Sequence, residues 1–190
     1  MPEQMRGTAL AVLAMVAVVA LANYTVQFPI NAWLTWGAVI YPVTFLVTDL
    51  ANRAFGAAGA RRVVYAGFAC GLLLSAVVAP LRIAVASGTA FLVGQLLDIQ
   101  VFDRLRRRSW WKAPFVGSVL GSIVDTAIFF GIGFIGVLPL WPQDAGPSVL
   151  TLGLGDLAVK LALAVLLLAP FRALMSRIVP FASPTSTASR

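Results

Sequence analysis

The chain has 190 residues, of which 60% are hydrophobic and 11% are charged, against about 45–50% and about 25% in soluble domains. Its mean hydropathy is +0.92, and apolar residues extend from Thr8 to Ala169, which excludes a soluble domain with one membrane anchor. Fourteen Lys and Arg residues against seven Asp and Glu give a net charge of +7, but the cations lie at the ends of apolar runs, which indicates a membrane protein rather than a nucleic-acid-binding one.

The apolar runs predict an all-α, polytopic membrane protein with six transmembrane helices, because one crossing takes about 20 residues. The predicted spans are residues 8–22, 33–50, 63–79, 83–102, 113–138 and 149–169. They form a single transmembrane domain over residues 1–190 that ends in a short cytoplasmic tail at residues 171–190.

The positive charges alternate between the two sides of these spans. One side takes Arg6, Arg53, Arg61, Arg62, Arg104, Arg106, Arg107, Arg108, Lys112, Arg172, Arg177 and Arg190. Arg82 falls on the other side, and Lys160 lies inside a span. Since cytoplasmic loops carry the excess of Lys and Arg, both termini are predicted to be cytoplasmic.

The first span has a second interpretation from the residues alone. A short charged start, an apolar run and Ala20-Leu21-Ala22 also fit a cleaved signal peptide. Cleavage would leave five spans with the new amino terminus outside, and the charge alternation agrees with either arrangement.

Ionisable residues lie within or at the edge of the predicted spans: Asp49, Asp98, Asp125, Asp156 and Lys160. Each costs about 2.5–3.5 kcal/mol at the centre of a bilayer, so each needs a partner or a functional reason. Asp156 and Lys160 are four positions apart with the acid first, which predicts an ion pair on one helix. The four carboxylates are predicted to line a path from the midplane to the cytoplasm.

Helical spacing places aromatic rings beside these acceptors on three spans. The stripes are Tyr41, Phe45 and Asp49; Phe91, Gln95 and Asp98; and Ser118, Ser122, Asp125 and Phe129. A flat polar heterocycle suits this combination, because rings stack on its face and carboxylates or amides accept its N–H edge. The alternative is that the rings are ordinary packing residues and that Asp98 reaches the interface.

Proline and small residues shape the second, third and fifth spans. Pro42 predicts a kink or break in the second span, which occurs both at transport sites and in packed bundles. The rows Gly67/Gly71/Ser75 and Gly117/Gly121 predict close helix contacts. The second row leads to Asp125 and places this acid between helices instead of in lipid.

A catalytic alternative rests on Gly153-Leu154-Gly155-Asp156, which looks like the signature of presenilin-type intramembrane aspartyl proteases. Asp125 would be the partner acid. Three features disfavour it: Val124 precedes Asp125 where those proteases have an aromatic residue, their later Pro-Ala-Leu motif is missing, and Lys160 would keep Asp156 ionised.

Several stretches together resemble the queuosine-precursor transporter family, also called the vitamin uptake transporter family. The first block contains residues 23–29, 35–38 and 42–50, Arg53, residues 55–56 and residues 60–62. The second contains residues 90–91, 94–98, 101–102, 104–105, 110–111, 113–114, 124–126 and 129–130, with a weaker match at Asp156 and Lys160. The pairing of Thr48-Asp49-Leu50 with Gln95-Leu96-Leu97-Asp98 is the most specific part.

This resemblance implies an intact six-helix protein of the bacterial inner membrane that keeps its first span. It implies uptake of deazaguanine bases, the cyano and aminomethyl precursors of the tRNA base queuosine, and no enzymatic activity. The hypothesis is a permease that binds this small molecule through Phe45, Thr48, Asp49, Phe91, Gln95, Asp98 and Asp125, with Asp156–Lys160 as an ion pair that switches during transport. Besides the substrate, the expected partners are the lipid bilayer and a second copy of the chain, with no nucleic acid, metal or cofactor.

Two further expectations remain. The connection between spans three and four is shorter than is usual in similar proteins, which predicts that an outer gate or lid is absent. The other binding-module hypothesis is the substrate-capturing subunit of an energy-coupling factor system; because the chain has no Walker A pattern, a separate partner would have to hydrolyse ATP.

Overall fold

The computed structural model describes residues 3–25, 27–28, 30–31, 34–143 and 148–178, and over these ranges the secondary structure is helical, as predicted. The helices are α1 (Glu3–Thr25), α2 (Trp36–Ile40), α3 (Val43–Val78), α4 (Leu81–Leu105), α5 (Lys112–Phe134), α6 (Val149–Leu166) and α7 (Leu168–Met175). The first residue of the predicted second span and residues 179–190 of the predicted tail lie outside the described residues.

Five helical stretches in the described residues are long and apolar enough to cross a membrane. They are Met5–Thr25, Trp36–Val77, Leu81–Leu105, Lys112–Phe134 and Val149–Met175. The second stretch covers most of the two predicted spans, 33–50 and 63–79, because the expected loop between them is helical on either side of one residue, Gly56. Its 42 residues would measure about 63 Å as one straight helix, twice the thickness of a bilayer core.

Gly56 divides α3 into residues 43–55 and 57–78. Its φ of 71° and ψ of 177° interrupt the helix in a region that is essentially restricted to glycine. In the first half, residues 48 and 52 bond to residues 95 and 99 of α4, so this half runs parallel to α4. In the second half, Gly67 lies beside Phe91 while residues 68 and 72 lie beside Gly88, so this half runs antiparallel to α4. The two halves of α3 therefore run in opposite directions, and Gly56 forms the turn between them.

Small residues allow α1 to pack closely on the second half of α3. A methyl group at Gly67 would lie 2.6 Å from Met15 Cγ, and one at Gly71 would lie 3.1 Å from Val19. Ser75 Oγ donates a hydrogen bond of 3.1 Å to Asn23 Oδ1 at the end of the contact. The predicted small-residue row is thus a helix contact, as expected.

The row Gly117/Gly121 forms the contact between α4 and α5. A methyl group at Gly121 would lie 2.9 Å from the carbonyl oxygen of Gly94, and one at Gly94 would lie 3.0 Å from Asp125 Cβ. Asp125, which is 2% exposed, therefore lies between two helices, as the sequence predicts.

Proline and glycine set the remaining element ends. α2 ends just before Tyr41-Pro42, so Pro42 separates two helices as predicted. The connection between α3 and α4 is only residues 79–80. The fifth predicted span extended to residue 138, but α5 ends at Phe134, shortly before Gly136 adopts a φ of 80°. α7 makes residues 171–175 of the predicted tail helical.

The two ends of the bundle differ in charge. Contacts bring together the start of α1, the Gly56 turn, the end of α4 and α7: Gly7 adjoins Phe55, and the rings of Phe102 and Phe171 are 6.3 Å apart. The described cations lie at this end, here called the cationic end, except for Arg82 and Lys160. Arg82 Nε donates a 2.7 Å hydrogen bond to the carbonyl oxygen of Ile132 at the opposite end.

Candidate functional site

An ion cluster occupies the middle of the bundle between α5 and α6. Lys160 Nζ lies 2.6 Å from Asp125 Oδ2 and 2.5 Å from Asp156 Oδ2. The predicted ion pair on α6 therefore exists, and α5 adds a second carboxylate to it. The side chains of Lys160 and Asp125 are 4% and 3% exposed, so the attraction acts where water screens it little.

Two hydroxyl groups complete the cluster. Tyr41 Oη donates a 2.6 Å hydrogen bond to Asp125 Oδ1. Thr126 Oγ1 donates a 2.8 Å bond to Asp156 Oδ2 and accepts one of 3.1 Å from Lys160. Lys160 Nζ also lies 5.3 Å from the centre of the Tyr41 ring, which adds a cation–π contact. Tyr41 lies at the break between α2 and α3, and from this position its hydroxyl group reaches Asp125.

Asp125 and Asp156 differ in how many of their carboxylate oxygens accept a hydrogen bond. Both oxygens of Asp125 accept hydrogen bonds, one from Tyr41 and one from Lys160. Asp156 receives both its hydrogen bonds at Oδ2, and within the described ranges its Oδ1 accepts none. The Asp156 side chain is also 17% exposed. Asp156 therefore has a carboxylate oxygen that no described residue occupies, whereas both oxygens of Asp125 already accept a hydrogen bond.

A cavity of about 400 Å³ lies on one side of the ion cluster. Its inner end is formed by Tyr41, Asp125, Asp156 and Lys160. Its walls extend to Leu34 and Ala79, which lie at the end of the bundle opposite the cationic end. Binding pockets for small molecules typically measure about 300–1,000 Å³, so the cavity is large enough for a bicyclic base.

Aromatic rings form much of the cavity wall: Phe68, Phe91, Phe129, Phe130 and Phe134. The rings of Phe91 and Tyr41 meet edge to face at 6.2 Å. Those of Phe129 and Phe130 meet edge to face at 5.1 Å, one helical turn beyond Asp125. Flat faces thus stand next to a free carboxylate oxygen, the combination that a polar heterocycle suits.

On the other side of the ion cluster, only a crevice of about 10 Å³ remains. It is lined by Lys160, Ser122, Ser118 and Asp49 and by the apolar residues Pro42, Phe45, Leu46, Pro114, Ala164, Leu167, Leu168 and Phe171. That volume holds roughly one water molecule. Lys160 lines both spaces, so the cluster separates an open cavity from a nearly closed crevice.

Gln95 and Thr48 lie in a buried hydrogen-bond network between α3 and α4, outside both spaces. Thr48 Oγ1 donates a 2.5 Å bond to Gln95 Oε1, and Gln95 Nε2 donates a 2.8 Å bond to Thr44 Oγ1. Both residues are 0% exposed. The side-chain polar atoms of Gln95 bond to Thr48 and Thr44, so in this conformation the network connects α3 to α4.

Asp49 and Asp98 lie still closer to the cationic end. Both are buried and they approach neighbouring positions of α5, because Asp98 Oδ1 adjoins Gly117 and Asp49 Oδ2 accepts a hydrogen bond from the next residue, Ser118. A methyl group at Gly117 would lie 2.3 Å from Asp98 Oδ1, so the absence of a side chain there makes room for this carboxylate.

The predicted site residues therefore divide into groups instead of sharing one pocket. Phe91, Asp125, Asp156 and Lys160 line the cavity, Phe45 and Asp49 line the crevice, and Thr48, Gln95 and Asp98 line neither. Helical spacing puts residues on one face but not at one depth in the bundle. Over the eight positions from Tyr41 to Asp49, a helix rises about 12 Å. Sequence reasoning missed Thr126 and Phe130 as site residues, although both fall in stretches quoted for the family resemblance. Among the described residues, no three His, Cys, Asp or Glu side chains could hold a metal ion.

Family comparison matches most of this helical bundle. The family model described as "Putative vitamin uptake transporter" matches residues 35–81 and 76–175, well over half of the chain. The chain belongs to this family. The family resemblance seen in the sequence is confirmed.

Named relatives of this vitamin uptake transporter family member come from three bacteria. It is 40% identical to the "Queuosine precursor transporter" of Escherichia coli (strain K12), over 62% of this chain and 64% of that protein, just under two thirds of its length. It is 34% identical to the "Probable queuosine precursor transporter" of Haemophilus influenzae, over 80% and 79%. It is 29% identical to the protein of that name in Bacillus subtilis, over 55% and 58%. No solved structure matches it significantly.

Family and fold together define the class of this protein. The family consists of transporters by name, and the described chain has five helices able to cross a membrane. This family member is a multi-pass protein of the bacterial inner membrane, as predicted.

Proposed function

We propose that this protein imports the cyano and aminomethyl deazaguanine precursors of queuosine into the bacterial cell. The observation that carries the proposal is the cavity of about 400 Å³, which has aromatic walls and ends at the free Oδ1 of Asp156. The names of the relatives independently favour this substrate class.

The cavity suits the chemistry of a deazaguanine. The base presents a ring N–H and an amino group on one edge, and a carboxylate with a free oxygen accepts such donors. Asp156 Oδ1 is the acceptor we assign, while Asp125 holds Lys160 and Tyr41 in position. This assignment exchanges the roles that the sequence suggested for the two acids. Phe91 and Phe129 supply stacking faces.

The charge of the cluster suits both precursors. Two carboxylates and one ammonium leave a net charge of −1 at the inner end of the cavity. An aminomethyl group carries a positive charge that this excess attracts, whereas the cyano precursor is neutral and depends on the edge and stacking contacts.

Six membrane crossings fit the fold better than five. The two halves of α3 run in opposite directions from Gly56, and each half together with its flanking residues is long enough for one crossing. With the cationic end in the cytoplasm, both termini lie inside and the cavity opens outward. The connection between α3 and α4 at residues 79–80 is too short to form a lid over that opening.

Lys160 and Asp156 form the barrier between the cavity and the crevice in this proposal. A substrate that donates a hydrogen bond to Asp156 Oδ1 weakens the attraction of this carboxylate for Lys160, whose contact at Oδ2 closes the inner path. Rearrangement of this pair would then open the crevice while the outer cavity closes. The same geometry disfavours an aspartyl protease, because Lys160 stands between two acids that would need to share a proton.

Uptake by the purified protein in liposomes tests the proposal. Liposomes loaded with unlabelled cyano precursor should take up labelled precursor by exchange, and D156N should lose this exchange. D103N is the matched control, because Asp103 is 51% exposed at the cationic end. Exchange without any partner would also exclude dependence on an ATP-driven subunit, whereas no exchange by folded wild-type protein contradicts the proposal.

A further inference from the structure

Two buried carboxylates lie beyond the reach of the cavity. Asp98 is 0% exposed and Asp49 is 2% exposed. Across the described residues, Asp49 Oδ1 and both oxygens of Asp98 accept no hydrogen bond. The remaining oxygen, Asp49 Oδ2, accepts only a long bond of 3.4 Å from Ser118. Ionised carboxylates without donors are costly to bury, and two neighbouring ones also repel each other.

Three charged groups lie near the pair, and two of them bond elsewhere. On α3, Arg53 follows one helical turn after Asp49, and its Nε is buried and makes no hydrogen bond to the described residues. On α4, Arg106 bonds to Asn52 and forms an ion pair with Asp103. On α6, Lys160 bonds to Asp125 and Asp156. α5 presents Ser118 to Asp49, and α7 presents the apolar ring of Phe171 to the crevice.

The crevice connects Asp49 of this pair to the ion cluster. Asp49, Ser118, Ser122 and Lys160 all line it. Its volume of about 10 Å³ admits roughly one water molecule, so hydroxyl groups and water can pass a proton where a bicyclic base cannot enter. While the crevice is closed, a proton therefore has a path to Asp49 that the substrate lacks.

We propose that Asp49 and Asp98 bind the proton that drives uptake, which makes the protein a proton–substrate symporter; this rests on the proposed import of deazaguanines. The pair shares one proton while it is buried. In each cycle, a proton from water on the outer side forms an O–H bond with a carboxylate oxygen of the pair. After the inner path opens, that bond breaks and the proton passes to water at the cationic end.

A pH gradient across liposomes separates coupling from substrate binding. The membrane potential is held at zero with potassium and valinomycin, and the neutral cyano precursor is the probe. An outside pH about one unit below the inside can support about tenfold accumulation at one proton per molecule. Wild-type protein should approach that ratio.

D49N and D98N mimic the protonated acids and keep the shape of the side chains. Both should lose the roughly tenfold accumulation and equilibrate the substrate, while exchange of labelled for unlabelled precursor continues. D49E keeps an ionisable group and should retain part of the accumulation. D103N should behave as wild type.

The outcomes distinguish this inference from the proposed function. Absence of exchange by wild-type protein contradicts import itself. Exchange without a response to the pH gradient, or accumulation driven by a sodium gradient instead, overturns proton coupling alone. Full accumulation by D49N and D98N, or loss of exchange in both although each is folded, also overturns the role assigned to the pair.

Discussion

Lys160 Nζ lies 2.6 Å from Asp125 Oδ2, although the two residues are 35 positions apart on different helices. This contact joins α5 to α6 at the inner end of the cavity, where Asp156 approaches the same ammonium group at 2.5 Å. One lysine thus neutralises part of the buried Asp125 and of the partly exposed Asp156. Helix packing here depends on these three side chains, and under the proposed function substrate binding depends on them too.

Removal of the lysine charge should destabilise the protein. K160M leaves the buried Asp125 and the partly exposed Asp156 without their shared cation, and breaking a buried pair typically costs about 3–5 kcal/mol. Thermal unfolding of the purified protein in detergent measures the loss. Adding D125N to K160M removes one of the stranded charges and should recover part of the stability. Equal unfolding temperatures for K160M and wild type would show that the cluster contributes little.

Substrate affinity should depend on Asp156 more than on exposed acids. A hydrogen bond to a charged group contributes about 1.5–3 kcal/mol, so D156N should weaken binding roughly 10- to 150-fold. Titration of the purified protein with the cyano precursor gives the dissociation constant. D103N, which alters an exposed carboxylate of α4, should bind like wild type. If both variants bind equally well, Asp156 does not hold the base.

The sequence predicted which residue types the site contains but not how deep in the helix bundle each of them lies. Asp156–Lys160 followed from spacing within one helix, and the burial of Asp125 followed from the glycine row that precedes it. The contact of Lys160 with Asp125 depends on how two helices are rotated against each other, which no single-helix pattern encodes. Thr48 and Gln95 look like binding residues in sequence, yet their polar atoms satisfy each other.

The apolar runs could be counted from the sequence, but the ends of the helices were harder to predict. Residues 51–62 contain three arginines and two glycines and read as a loop, but they are helical except at Gly56. A single glycine with positive φ reverses the chain in place of a loop. Without an observed backbone angle, such a turn cannot be told from an ordinary helical glycine.

Replacement of this glycine should destabilise the fold. At Gly56, the φ of 71° with ψ of 177° is strained for any residue with a Cβ atom, so G56A should cost about 1–3 kcal/mol. Gly131 on α5 is the control, because a methyl group there would meet nothing within 4 Å. G56A should lower the unfolding temperature, whereas G131A should leave it unchanged or raise it slightly. Similar effects of both substitutions would contradict a reversal at Gly56.

Cysteine labelling should locate the cavity relative to the membrane. In a C70S background, which removes the only native cysteine, S87C places a thiol in the cavity wall and S109C places one at the cationic end. A membrane-impermeant maleimide applied to intact spheroplasts should label S87C, and the cyano precursor should slow that reaction because it fills the same space. S109C should react only after the membrane is permeabilised, since the positive-inside rule predicts that the cationic end faces the cytoplasm. Labelling of S109C from outside would reverse the assigned orientation, and labelling of S87C at an unchanged rate with saturating precursor would separate the cavity from the substrate path.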